Sequence, residues 1–132
     1  MATHDIIGDC LNSIKMASSS GQISCTVPYT RLAHDVCAIL KSEGFIAHFS
    51  KKEVSKGISI VEVSLKYVSG LPSITGLKRH STPGCRRYYA SKQIPRVLGG
   101  VGVAVLTTSR GVMTDAQARR QNVGGELLAQ IW

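Results

Sequence analysis

The chain has 132 residues, room for one domain or for two small lobes sharing a core, and it carries 16 Lys and Arg against 8 Asp and Glu, a formal net charge of +8. An apolar content of 43% with only 5% aromatics implies an interior of Val, Ile, Leu and Ala and excludes a disordered basic tail. The charge is uneven: residues 1–66 hold seven cations and six acids, residues 67–132 nine cations and two acids, which fits either a polyanion such as nucleic acid bound mainly by the second half or cations that only solvate the surface of a basic domain.

In chain order, Ile6, Ile7, Cys10, Leu11 and Ile14 form one helical stripe, with Thr3 or Asp5 available as an N-cap. The N-terminus holds Asp5 and Asp9 and no basic region leading into an apolar block, so no secretory signal is expected. After Gly21, the apolar residues Ile23, Cys25 and Val27 alternate with Ser24 and Thr26 up to Pro28, the pattern of a short half-buried strand. A second helix is predicted from Thr30 to Glu43, burying Leu32, Val36, Ile39 and Leu40 and stopping at Gly44. Phe45–Phe49 and Ile58–Leu65 read as a hairpin whose connection, Lys51 to Gly57, is polar and exposed. The first half is therefore αβαββ.

Strand signals dominate the second half: Ile74–Arg79, a Pro83-Gly84 turn, Arg86–Ala90, Val101–Thr107 and Leu127–Trp132. Two short helical pieces interrupt them, one near Pro95–Leu98 and one opening at Thr114 with Gln117 at capping-box spacing. The expected fold class is α+β, with an N-terminal lobe over 1–69 and a β-rich C-terminal lobe over 70–132. The longest uncharged apolar run, Val97 to Leu106, is ten residues, half the roughly 20 that a membrane helix needs, so no membrane partner is expected.

Cys10, Cys25, Cys37 and Cys85 lie 15, 12 and 48 residues apart, without a Cys-x-x-Cys or finger-like histidines, so no metal is expected. The spacing admits two disulfides, but three of the four sit in apolar periodic segments, where reduced cysteine serves as a small hydrophobe. There is no phosphate-binding loop, His-Glu-x-x-His or Gly-x-Ser-x-Gly elbow, and Gly99-Gly100-Val101-Gly102 lacks the third glycine of a dinucleotide fingerprint. No cofactor is implied.

The most informative segments lie near the C-terminus. Thr107, Thr108 and Ser109 follow an apolar strand and precede Arg110 and Gly111, which suits a tight turn offering small hydrogen-bonding groups at close range. Ten residues on comes Val123-Gly124-Gly125-Glu126. These, together with Glu43-Gly44-Phe45-Ile46, Leu65-Lys66-Tyr67, Pro83-Gly84 with Arg86 and Tyr88, Ile94-Pro95, Gly111-Val112-Met113-Thr114 and Ala118-Arg119, follow the order and spacing of one family. Over nearly its whole length the chain resembles bacterial-type small ribosomal subunit protein eight.

That resemblance implies a structural, non-catalytic protein that binds the central domain of small-subunit rRNA early in assembly, with ribosomal proteins five and two as neighbours and feedback on its own messenger RNA as a further role. It implies RNA contacts from Thr107, Thr108 and Ser109, from Gly124 and Gly125 through close approach, from Glu126 accepting from the hydroxyl turn or a base, from Tyr88 as a stacking face, and from Arg79, Arg86 and Arg110 near phosphates. Thr3, Asp5 and Arg31 occupy family positions that approach RNA, whereas the first helix has Asn12, Ser13 and Lys15 where relatives carry arginines. Short hydroxyls suit the wide minor groove of an RNA helix, where 2′-hydroxyls and base edges are displayed. Without the resemblance, turn glycines and a core tyrosine would explain the same residues. The expected location is the ribosome of the cytoplasm or of an organelle with bacterial-type ribosomes. The alternative activity is a small RNA- or nucleotide-processing enzyme using Cys85 and His80.

Overall fold

The computed structural model describes residues 6–82 and 84–132; Thr3, Asp5 and Pro83 lie outside them. The chain divides into two compact units, one over residues 6–75 and the other over 76–132, and the expected lobe boundary at 69/70 falls in the turn of a small hairpin within the first.

The first unit runs α1 (Ile6–Ser19), β1 (Ser24–Pro28), α2 (Arg31–Ser42), β2 (Ile46–Ser55) and β3 (Ile58–Leu65). α1 buries Ile7, Cys10, Leu11, Ile14 and Ala17, the i, i+3, i+4, i+7 stripe that its sequence carries. α2 starts where Thr30 Oγ1 accepts from the Ala33 N–H at 3.0 Å and ends before Gly44, whose φ of +83° suits a residue without Cβ. Leu32 is only half-buried, and Ala33 and Cys37 take the inner positions beside Val36, Ile39 and Leu40.

These helices accompany an antiparallel sheet of order β1-β3-β2. β1 is an edge strand, so Pro28 opposite Ile60 costs no ladder bond. Ile23 corrects the expected alternation: it lies outside the strand and is 84% exposed. The polar segment after Phe49 is likewise not a loop, because β2 continues to Ser55 and the hairpin turns only at Lys56-Gly57. Backbone pairing with β3 holds those exposed residues in a strand that side-chain polarity alone does not signal. β4 (Tyr67–Val68) and β5 (Leu71–Pro72) form a small hairpin that the sequence reading did not anticipate.

The second unit contains β6 (Leu77–Arg79), β7 (Tyr88–Tyr89), β8 (Val103–Thr108), β9 (Gly111–Thr114), α3 (Asp115–Gln121) and β10 (Gly125–Ile131), with 3-10 turns at Ser91–Gln93 and Val97–Gly100. The strands run β6-β10-β8-β9, and β7 also pairs with β10. Expected strands over 74–79 and 86–90 shrink to β6 and β7, since only those residues find ladder partners on β10. Ile94, Val97, Ala104, Leu106, Met113, Ala118 and Leu127 form the core, with Tyr89, Val123 and Trp132 packed against it. α3 opens with the expected capping box: Thr114 Oγ1 accepts from the Gln117 N–H at 3.2 Å and Gln117 Oε1 from the Thr114 N–H at 3.1 Å. The buried Asp115 carboxylate takes Arg119 Nη1 at 2.8 Å and the Ala104 N–H at 3.3 Å.

All four cysteines are free, with Cys10 and Cys37 buried and Cys85 exposed. Cys10 and Cys37 share a thiol hydrogen bond, which together with burial pushes the Cys37 thiol far up and keeps it protonated. Among the described residues no helix is long and apolar enough to cross a membrane.

Candidate nucleic-acid interface

β10 positions the candidate site because it is paired on both sides at its first two residues. Gly125 opposes Thr108 on β8 and Tyr89 on β7, while Glu126 opposes Thr107 and Tyr88. The hydroxyl turn and the tyrosine pair therefore flank the same short stretch of backbone. Two glycines make this possible: a Cβ on Gly125 would strike the Thr107 carbonyl, and one on Gly124 the carbonyl of Tyr89. They permit close approach within the protein itself, a role distinct from the approach to RNA expected of them.

The three hydroxyls have different positions. Thr108 Oγ1 donates to the Gly111 carbonyl at 2.8 Å and accepts from the Arg110 N–H at 3.1 Å, so it closes the turn between β8 and β9. Ser109 at the tip is exposed and Thr107 is half-buried; among the described residues neither side chain is committed to a hydrogen bond. Arg110, beside Ser109, is exposed.

Glu126 is only 9% exposed. It accepts from Ser81 Oγ at 2.5 Å and from Arg86 Nη1 at 2.9 Å, rather than from the hydroxyl turn. Ser81 is itself fully buried and accepts from the Arg87 N–H at 3.1 Å. Burial pushes the Glu126 carboxyl up, but the hydrogen bonds from Ser81 and Arg86 and the charges of Arg86 and Arg79 outweigh it and hold the group below the usual carboxylate range. The carboxylate thus fixes Arg86 at the edge of the site, while Arg79 Nη1 is tied to the Leu128 carbonyl at 2.8 Å, beside the irregularity in β10 between Leu127 and Ala129.

The adjacent tyrosines divide their work. Tyr88 is 68% exposed and presents a ring to solvent. Tyr89 packs on the core, and its hydroxyl lies 3.0 Å from His80 Nε2. Burial, reinforced by Arg87 and Lys78, moves His80 below the ordinary histidine range and so favours the neutral ring.

The structure thus brings together Arg79, Arg86, Tyr88, Thr107, Thr108, Ser109, Arg110, Gly124, Gly125 and Glu126 in the second unit. Arg31 lies in the first, exposed at the start of α2, and Thr3 and Asp5 fall outside the described residues. Sequence reasoning missed Ser81 and its bond to Glu126, for a lone serine in a basic loop carries no local signal. It also missed the contacts of Arg119 Nη2 with the Ile94 and Pro95 carbonyls at 3.1 and 3.2 Å, although Asp115 and Arg119 stand at the i, i+4 spacing that favours such a pair. Among the described residues His80 contacts Tyr89 and Cys85 bridges to Thr82, so the two are not paired with each other. Chemically, the assembled surface can donate and accept through Ser109 and Thr107, stack through Tyr88, and neutralise phosphates through arginines.

Residues 5–132 match the family model described as Ribosomal protein S8. The small ribosomal subunit protein uS8 of Microcystis aeruginosa is 48% identical over the full length of both chains. That of Opitutus terrae is 45% identical over 97% of this chain and 98% of its own, and that of Thermosynechococcus vestitus 45% identical over the full length of both.

Proposed function

The chain belongs to the ribosomal protein S8 family, and from that premise we propose that it recognises the central domain of small-subunit rRNA through the surface around the start of β10. It is a structural constituent of the small ribosomal subunit and an rRNA-binding protein, acting in the ribosome of the cytoplasm. The observation that carries the proposed surface is the convergence of an uncommitted, exposed Ser109, the exposed Tyr88 ring and the Glu126-anchored Arg86 on one stretch of backbone, in a unit whose nine cations face two acids.

On this reading Ser109 and Thr107 meet riboses and base edges across the shallow groove, Tyr88 stacks on an irregular base, and Arg86, Arg79 and Arg110 line the phosphates. Thr108 and Glu126 act one step back, by shaping the turn and by holding Arg86. Ribosomal proteins five and two are the proposed neighbours, and the same surface is the proposed site for a messenger that imitates the rRNA.

The test is binding of the purified chain to a central-domain rRNA fragment and to an unrelated RNA duplex across a salt series. The expected result is a preference for the fragment of about a hundredfold or more, a threshold set below the roughly 10³–10⁷ by which specific nucleic-acid sites exceed non-specific ones, and its loss in Ser109→Ala. Equal affinities with a shared salt slope would reduce the interaction to generic basic attraction and sink the proposal.

A further inference from the structure

The first unit carries a second arrangement of rings and cations. By register, Phe49 opposes Val63 and Lys51 opposes Val61, and the Tyr29 N–H bonds to the Ser59 carbonyl at 3.1 Å. Residues 59, 61 and 63 share one face of β3, so Tyr29, Phe49 and Lys51 share it too. From α2, His34 stands between the two rings, its centroid 6.1 Å from Tyr29 and 5.1 Å from Phe49, edge-on to both. Lys51 Nζ lies 4.2 Å from the Tyr29 centroid and Lys41 Nζ 6.0 Å from that of Phe49.

All three rings are half-buried and both lysines exposed. Ring surface and positive charge therefore lie together at the solvent boundary. Lys52, which opposes Ile60 and so belongs to the other face of the sheet, is paired with Glu62 at 3.0 Å, and Asp35 Oδ1 lies 3.9 Å from His34 Nδ1, whereas among the described residues neither Lys41 nor Lys51 enters an ion pair. Exposed cation–π contacts are weak enough to be exchanged for a stacked base, after which the displaced ammonium lies near that nucleotide's phosphate.

We propose that Tyr29, Phe49, Lys41 and Lys51 form a second RNA contact, which takes an unstacked nucleotide of single-stranded RNA. The base stacks on Tyr29 or Phe49, and the lysines neutralise the phosphates on either side. A stacked duplex offers no free base face, and an acidic protein segment would use the charges and leave the rings idle. The assignment rests on RNA being the partner of this chain, and it adds a base-stacking contact to the first unit, where the resemblance already implies that Arg31 approaches RNA.

The test titrates the isotopically labelled full chain with a single-stranded RNA of about six nucleotides, within the span that such surfaces accommodate, and separately with the rRNA fragment and with hexaglutamate, following ring resonances by NMR. Saturable shifts of the Tyr29, His34 and Phe49 rings by the oligonucleotide are expected, unchanged in Ser109→Ala and weakened roughly tenfold in Tyr29→Leu/Lys51→Gln. If circular dichroism shows that the double variant is unfolded, Lys51→Gln alone must show a severalfold loss. Rings unmoved by saturating oligonucleotide, while the Ser109 turn still answers to the rRNA fragment, would overturn this second contact alone. Silence of both sites would remove the proposed surface at the start of β10 with it, and equal shifts from hexaglutamate would reduce the platform to a charge effect.

Discussion

At the scale of single residues, the same chemistry serves two ends depending on what surrounds it. Thr108 and Ser109 are neighbours with similar hydroxyls, yet only Thr108 is spent on holding the turn. Thr108→Val, which preserves shape but removes both bonds, is expected to speed hydrogen exchange at the Arg110 amide and to cost about 1 kcal/mol of stability; Ser109→Ala should leave stability within about 0.5 kcal/mol, as for other exposed positions. Chemical denaturation and exchange measured on the two variants separate the roles, and a Ser109→Ala protein as destabilised as Thr108→Val would refute them.

Glu126 makes a pH-dependent contribution. Because its folded-state pKa lies below the ordinary value, the stability it confers is present above that value and is lost as pH falls through the depressed one. Glu126→Gln, which weakens the hold on Arg86 and leaves an imperfectly paired amide in a nearly buried site, is expected to cost about 1–3 kcal/mol near neutral pH. The gap between variant and parent should narrow as pH falls through and below the ordinary carboxylate range, where the parent's carboxylate takes up its proton. Urea midpoints for both proteins across that range check this, and a constant gap would mean that the carboxylate's charge contributes nothing.

At the scale of elements, short pieces persist because each is closed by an identifiable device. α3 is only seven residues long, well below the length at which an isolated helix is stable in water, and it depends on the Thr114–Gln117 capping box and on packing of Ala118 into the core. Thr114→Ala should therefore cost about 1–2 kcal/mol, read as a lower denaturation midpoint. Double substitution with Gln117→Ala should cost less than the sum of the single losses, since the two bonds are reciprocal. β7 has two residues and exists only as a ladder on β10; in return it sets Tyr88 outward and Tyr89 onto the core.

At the scale of the molecule, charge and fold are distributed separately. The second unit holds most of the net charge, and association with RNA should weaken steeply with salt. Removing a phosphate-facing cation such as Arg110, as Arg110→Ala, is expected to reduce the log-log salt slope by about one and to weaken all RNA sequences alike. A loss confined to the cognate fragment would instead make Arg110 a base reader. Salt titrations on cognate and unrelated RNA distinguish the two.

Much of this molecule follows from signals only a few residues apart. The caps of α2, the capping box of α3, the hydroxyl turn and the αβαββ order could be read because hydrogen bonds and periodicities within one turn or strand are properties of local sequence. The family resemblance supplied the segments of the site. Tertiary structure decided which side chains in those segments remain uncommitted. Ser81 and Arg86 reach Glu126 across 45 and 40 residues, the two tyrosines part because β7 joins β10 in one register, and polar β2 continues because β3 lies beside it. Pairing over such distances depends on register and on competition for hydrogen-bond partners, which no local pattern encodes.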